Sequence, residues 1–295
     1  MAGSIWYMDS VARASYISPM DASTQPRRLT ADADPHPWPD GSQYAEYTLG
    51  SDGVTDSLRI LSAGDGSTLH QLTMPNFSGS ELRASPASKT TFLSKAYASS
   101  LDDEGEMLVV DAATARVIHS EPALVKVQKF RWLPDGRLLR LNAESGEVAL
   151  AAVNGSWQAA GRVAVPGGQV VRQIEINPQG TQMALVMKNT AGSAADAWVA
   201  QLDGSQLQRV TSDTATNQVY WSPDGQRLLF DYDDSSCVGR TCTGSCQLWY
   251  APADARNLTG LYNTEHPVAT RVRKRHTDDS VIPLTSCSSV HGWLP

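Results

Sequence analysis

One short unit returns along this chain at nearly constant spacing. The segments "PWPDGSQYAEY", "RASPASKTTFL", "RWLPDGRLLRL", "EINPQGTQMALV" and "WSPDGQRLLF" align on Pro39, Pro86, Pro134, Pro178 and Pro223, in steps of 47, 48, 44 and 45 residues. A period in the mid-forties with a turn in every copy is the length of a four-stranded propeller blade. After each turn comes an apolar or alternating run, such as Arg227-Leu228-Leu229-Phe230. Then follow a strand ending near Asp ("MLVVDA", "AWVAQLDG") and a short strand ending in Thr ("LHQLT", "LQRVT"). Strands of four to seven residues split by Gly, Asp and Ser read as antiparallel hairpins. No helical period of comparable length competes.

The turn has a physical account. Pro presets φ for the second position of a type I turn, Asp tolerates the third, and Gly takes the positive φ that closes the hairpin. The aromatic just before the turn (Trp38, Trp132, Trp221) is expected to fill the seam where blades meet. The motif is therefore a bend in a sheet and not a grip on a ligand.

The two chain ends complete the count. "SSVHGWLP" reads as an inner strand stopping at Pro295, while "SIWYMDS", "SYISPMDA" and "PRRLT" read as second, third and outer strands. Joined, they make one blade from about 1–30 and 286–295, which removes the open edge of the ring. The expectation is a single all-β domain over 1–295, a six-bladed β-propeller whose N- and C-terminal strands share blade six. Blade five carries two inserted loops, about 234–246 and 253–279, with "VIPLT" (281–285) as the outer strand that precedes the last inner strand.

The W-S-P-D-G-x-x-L-x-F copy at Trp221–Phe230 and the "MDASTQPRRLT" run at Met20–Thr30 resemble the TolB-type β-propellers, over essentially the whole chain; the copies at Pro86 and Pro178 are degraded. The resemblance implies the propeller fold. It says little about function, because such blades occur in periplasmic scaffolds, peptidase gates and sensor domains.

Cys237, Cys242, Cys246 and Cys287 fall in loops that leave a propeller on one face, so two disulfides are expected there, with three connectivities open. A zinc site is the rival, although C-x4-C-x3-C plus a distant Cys matches zinc spacings loosely. The acidic residues Asp102, Asp103, Glu104, Asp231, Asp233 and Asp234 sit toward the same face, where Ca²⁺ is conceivable without an EF-hand pattern. The run "TRVRKRHTDD" offers Arg271, Arg273, Lys274 and Arg275 as a docking loop for an acidic partner. The plainer reading is a solvated hairpin balanced by Asp278 and Asp279. His36 and His291 each stand near the Trp of an inner strand in neighbouring blades, and two imidazoles facing the channel could share a metal.

Other classes lose ground. A formal net charge of −7 and a pI near 5.3 give nucleic-acid binding no support. No apolar run is long enough for a transmembrane helix, and "MAGSIWYMDS" has no secretory leader, so a cytosolic protein or a trimmed mature form is expected. No G-x-S-x-G, HExxH or Walker A pattern occurs. The leading expectation is a non-enzymatic, secreted or periplasmic module that binds another protein of the cell envelope, or the sensor domain of a membrane-bound regulator, with no cofactor. The alternative is a propeller hydrolase or lactonase with a channel metal.

Overall fold

The computed structural model describes residues 3–295 except 10–11, 13, 32–34, 50–54, 76–81, 98–103, 125, 193, 213–214, 234–235, 239–240, 244–245, 262–264 and 285–289. The chain opens with β1 (Ser4–Asp9), β2 (Ala14–Pro19) and β3 (Arg27–Ala31). Blade one is β4 (His36–Pro37), β5 (Gln43–Leu49), β6 (Thr55–Ser62) and β7 (Thr68–Pro75); blade two is β8 (Arg83–Ala84), β9 (Thr91–Tyr97), β10 (Glu104–Asp111) and β11 (Arg116–Leu124). Blade three is β12 (Gln128–Trp132), β13 (Leu138–Asn142), β14 (Glu147–Ala151) and β15 (Gln158–Arg162). Blade four is β16 (Gln169–Ile176), β17 (Gln182–Asn189), β18 (Ala195–Gln201) and β19 (Gln208–Arg209). Blade five begins with β20 (Val219–Trp221) and β21 (Arg227–Asp233); the hairpin β22 (Ser236–Val238) and β23 (Thr241–Thr243) follows, then β24 (Cys246–Pro252) and β25 (Thr270–Arg271). A second hairpin, β26 (Arg273–Arg275) with β27 (Val281–Pro283), leads to the last strand, β28 (Val290–Leu294).

β28 pairs with β1, so the sixth sheet runs β28-β1-β2-β3 and draws on both ends of the chain. Ser4 lies opposite Leu294 and Ile5 opposite Trp293. The fold is the six-bladed ring that the repeats imply, and it is sealed as expected.

The core lies between blades because a strand sends successive side chains to opposite faces. In β21, Leu228 and Phe230 pack into the seam with blade four, while Leu229 packs into the seam with blade six. Each of the six seams holds a cluster of this kind. The inner-strand tryptophans follow the same parity. Trp132 and Trp221, two residues before their prolines, face the preceding blade and donate Nε1–H to the carbonyls of Arg83 (3.0 Å) and Glu175 (3.1 Å). Trp38 stands one residue before Pro39, so it faces the following blade and donates to Ser88 O at 2.9 Å. A shift of one residue reverses the seam a side chain serves.

Blade five departs from the expected plan. Its outer strand is the short β25, not "VIPLT"; Val281–Pro283 pairs instead with Arg273–Arg275. Outer-rim space is taken by the inserted segment, in which Leu258 and Leu261 are buried. Leu258 N–H donates to Val210 O at 2.8 Å and Ser212 N–H to Leu258 O at 2.9 Å, which docks the insertion on blade four. The first inserted loop prolongs the β21–β24 hairpin in register: Asp233 lies opposite Cys246, and Cys237 opposite Cys242.

Candidate functional site: the channel mouth

Six inner strands converge on the axis at the end where the Pro turns lie. They enclose a cavity of about 510 Å³. Its rim is apolar, built from the turn prolines of blades one to five and from Pro295 of blade six, with Trp132, Trp221 and Trp293 beside them. The turns are held in shape locally. Asp135 Oδ1 accepts the Arg137 N–H and Asp224 Oδ1 the Gln226 N–H, both at 3.0 Å, and Gly225 takes φ of 69°.

Behind this rim every blade contributes one polar side chain at an equivalent place. Three residues before the proline stand His36, Arg83, Arg131, Glu175 and Tyr220, and all five line the cavity. In blade six the equivalent is His291, four residues before Pro295. The extra residue is absorbed where the β1–β28 register shifts, Trp6 lying opposite Gly292 and Tyr7 opposite Val290. A bulge of this kind re-aims a side chain. Here it accompanies His291 lining the channel.

The ring combines charged and neutral groups. Glu175 Oε1 faces Arg131 at 3.2 Å and Arg83 at 3.8 Å, and Gln173 Nε2 donates to the same oxygen at 3.2 Å. Burial, then the Arg83 charge, then His291 push the His36 imidazole down to about 3; burial and Arg83 bring His291 down to about 4. Both are neutral at pH 7. Tyr220 donates its hydroxyl to Val290 O, and burial raises its pKa, so it stays protonated. Arg83, Arg131 and Glu175 thus form an ion-pair cluster beside two neutral imidazoles. His36 stacks on Tyr47 (centroids 6.2 Å apart), and its Nε2 is buried without a hydrogen-bond partner.

The residues singled out from sequence fall into three groups. His36 and His291 do meet in the channel. The other four ring residues escaped the sequence reading, although the signal was present at the third position before each aligned proline. A divalent cation is a poor fit to this donor set, because Arg83 adjoins both imidazoles and Glu175 is engaged by guanidinium groups.

The basic run forms a hairpin that binds back on the ring. Arg275 Nε donates to Ala22 O at 3.0 Å, and Lys274 Nζ lies 5.8 Å from the Tyr7 ring centroid and 3.9 Å from Asp9. Arg271 and Arg273 flank Val272 at the outer edge of blade five.

On the opposite face, Asp231 is not a surface residue. It is 3% exposed and its Oδ1 accepts the N–H groups of Asn217 (2.7 Å) and Gln218 (2.8 Å), while burial raises its pKa to about 6. Asp102, Asp103, Asp234 and Cys287 lie outside the described residues. Among the described residues no group of three or more His, Cys, Asp or Glu is placed to hold a metal. Cys246 is buried, and no free thiol occurs among the described residues.

No family pattern and no characterised protein sequence matches the chain. Solved structures do. TolB from Acinetobacter baumannii superposes with a TM-score of 0.63 at 14% identity, over 99% of this chain and 66% of that one, so the chain spans just under two thirds of that protein. The putative TolB from Agrobacterium tumefaciens gives 0.55 at 14% identity, over 99% of this chain and 93% of that one. The propeller domain of the Trilobed protease from Pyrococcus furiosus gives 0.53 at 12% identity, over 80% and 73%. These likenesses show the fold, a β-propeller of the architecture that the TolB structures also have. Among the described residues no helix is long and apolar enough to cross a membrane.

Proposed function

We propose that the chain is a binding module of the cell envelope or extracellular space that holds a partner protein at the Pro-turn mouth of its channel. One observation carries the reading: a cavity of about 510 Å³ is lined by all six inner strands of a sealed ring. A recess so braced needs little reordering when a ligand enters, which lowers the entropic cost of association. Its apolar rim and polar floor are the usual constitution of a recognition site.

The compartment follows from cysteine chemistry. Cys237 lies opposite Cys242 in the backbone register of a hairpin, a position from which a cross-strand bridge is the natural pairing. With Cys237 and Cys242 paired, the even count assigns Cys246 to Cys287, a bridge that closes a long loop and is worth ~4 kcal/mol in the chain-entropy model. An oxidising compartment suits two structural bridges. Thiol titration of the denatured protein should find no reactive sulfhydryl, and peptide mapping should return the pairs 237–242 and 246–287. Four titratable thiols would overturn the compartment.

The site itself is tested by photocrosslinking. A photoreactive residue placed at position 178 or 223 on the rim should yield one discrete adduct with a protein of the native envelope. The same residue at Glu147, on the outer part of blade three, should not. Equal labelling from both positions would sink the assignment of the mouth.

A further inference from the structure

The basic run between Arg271 and Arg275 holds two kinds of residue. Lys274 and Arg275 are answered within the molecule: Lys274 by Asp9 and the Tyr7 ring, Arg275 by the carbonyl of Ala22. Arg271 and Arg273 are not. Among the described residues neither guanidinium has an ion pair or a hydrogen bond. Composition does not account for this, because the chain holds 31 acidic residues against 24 lysines and arginines.

Backbone pairing puts the two on one side of the sheet. Arg271 lies opposite Trp249 in β24, and Val272 N–H donates to Leu248 O at 2.8 Å, which carries the pairing one residue further. Val272 and Leu248 turn into the seam with blade six. Arg271 and Arg273, one residue to either side of Val272, therefore project to the other face, that of Trp249. Trp249 Nε1 and Arg271 Nε are both donors, both buried and both without a hydrogen-bond partner. Burial, then the Arg273 charge, lowers the pKa of Arg271, which still stays cationic at neutral pH. Arg271 is half-buried and Arg273 exposed, so this edge meets solvent with two guanidinium groups whose charge the fold has not answered.

We propose that Arg271 and Arg273 form a docking site for an acidic segment of a partner protein, an extended stretch with carboxylates two residues apart. The site lies on the outer edge of blade five and does not depend on what fills the channel mouth. Alternate residues of an extended chain stand about 6.6 Å apart, so two guanidinium groups at that spacing match two carboxylates at the same spacing. Each guanidinium presents a fork of donors that a carboxylate accepts in pairs. The buried N–H groups of Trp249 and Arg271 do not touch the ligand, but with no acceptor of their own they keep the local field positive. A long polyanion suits the site poorly, because a chain of net charge −7 repels it beyond these two residues.

The test follows the Arg271 Nε–H and Trp249 indole N–H signals of the isotope-labelled full chain by NMR at low salt, assigned with Arg271→Gln and Trp249→Phe. Three probes are added: acetyl-Gly-Glu-Gly-Glu-Gly amide, the same peptide with Gln in place of Glu, and a short oligothymidylate. The Glu peptide should shift both signals saturably, and the Gln peptide should bind at least ~10-fold more weakly. Arg273→Gln should weaken the Glu peptide ~5-fold or more, while Lys274→Gln leaves it within ~2-fold. Arg273 is exposed, so its replacement tests the site without disturbing the core. Equal losses from the two variants would overturn a discrete site in favour of a diffuse basic patch. Glu and Gln peptides binding alike would overturn the carboxylate ligand. Tighter binding of the oligothymidylate than of the Glu peptide would overturn the protein partner in favour of a nucleic acid. No shift at on the order of 10 mM peptide would overturn the site outright. None of these results bears on crosslinking from positions 178 and 223, so the mouth and this edge fail separately.

Discussion

The seam between blades three and four and the seam between blades four and five meet the same demand with different material. At the first, the turn after β18 lies directly on the outer strand of blade three. A Cβ on Gly204 would fall 2.3 Å from the Arg162 carbonyl carbon and 2.4 Å from Val163 N, so only glycine permits the approach. At the second, the corresponding turn of blade five continues into the insertion. There Asn257 and Leu258 hydrogen-bond to β19 and its continuation, while Leu258 and Leu261 fill the gap with side chains. One joint is close backbone contact and the other is apolar filling. The outer rim of a propeller tolerates either, because the inner strands that line the channel are set by the blade cores and not by the rim.

The largest effect should come from a third joint, where the chain ends meet. Deleting residues 288–295 removes the inner strand of blade six with Val290 and Trp293, which are buried with partners in blade five. Loss of the cooperative thermal transition is expected in calorimetry. An unchanged melting temperature would show that the ring does not depend on that strand.

The filled joint is next in size. Leu261→Ala should cost ~2–5 kcal/mol in urea unfolding, and Leu258→Ala a similar amount, as expected for buried leucines. A cost below ~1 kcal/mol for both would mean that the insertion merely rests on blade four.

The glycine joint should prove smaller but sharper. Gly204→Ala should destabilise by ~2–4 kcal/mol, through a left-handed φ of 83° and a clash with backbone. Gly66, in the equivalent turn of blade one, has φ of 72° but nothing within 4 Å of an added Cβ. Gly66→Ala should therefore cost only ~1 kcal/mol, the backbone component alone. Equal losses would break the distinction between the two seams.

The response to acid is a balance of opposing groups. His36 and His291 titrate near 3 and 4 when folded but near the ordinary 6.5 when unfolded, so between those values the unfolded chain binds more protons and stability falls as the pH drops. Asp231 acts in the opposite sense. Its folded value of about 6 lies above the ordinary 3.8, so it contributes stability as the pH drops from about 6 toward 3.8. Two groups against one predict a net loss of stability from pH 6.5 to 4. Asp231→Asn should steepen that loss and His36→Gln should flatten it, both measured as melting temperature against pH.

Much of this was legible in the residues. Five aligned prolines and a split sixth copy gave six blades, because a propeller repeat is a local unit whose turn chemistry recurs in sequence. The parity of Trp38 against Trp132 and Trp221 was overlooked: the three were grouped as one aromatic before the turn, although Trp38 stands one residue and the others two before the proline. What escaped was the outer strand of blade five. "VIPLT" has the composition of an outer strand, yet Thr270–Arg271 holds the edge of β24 and the later segment pairs with Arg273–Arg275. Composition can propose a strand, but the neighbour with the free edge decides its place. Asp231 was misplaced for a related reason: its two backbone donors, Asn217 and Gln218, lie far enough away in sequence that nothing local announces them.

By itself, the sequence determined the repeat, the bend at each proline, and the sharing of blade six by both ends. These follow from spacing and from the chemistry of the proline turn. Only the tertiary structure decided that His36, Arg83, Arg131, Glu175, Tyr220 and His291 form one ring around the channel. Those residues stand on six separate inner strands, and the field each feels comes from neighbours that only closure of the ring brings within reach.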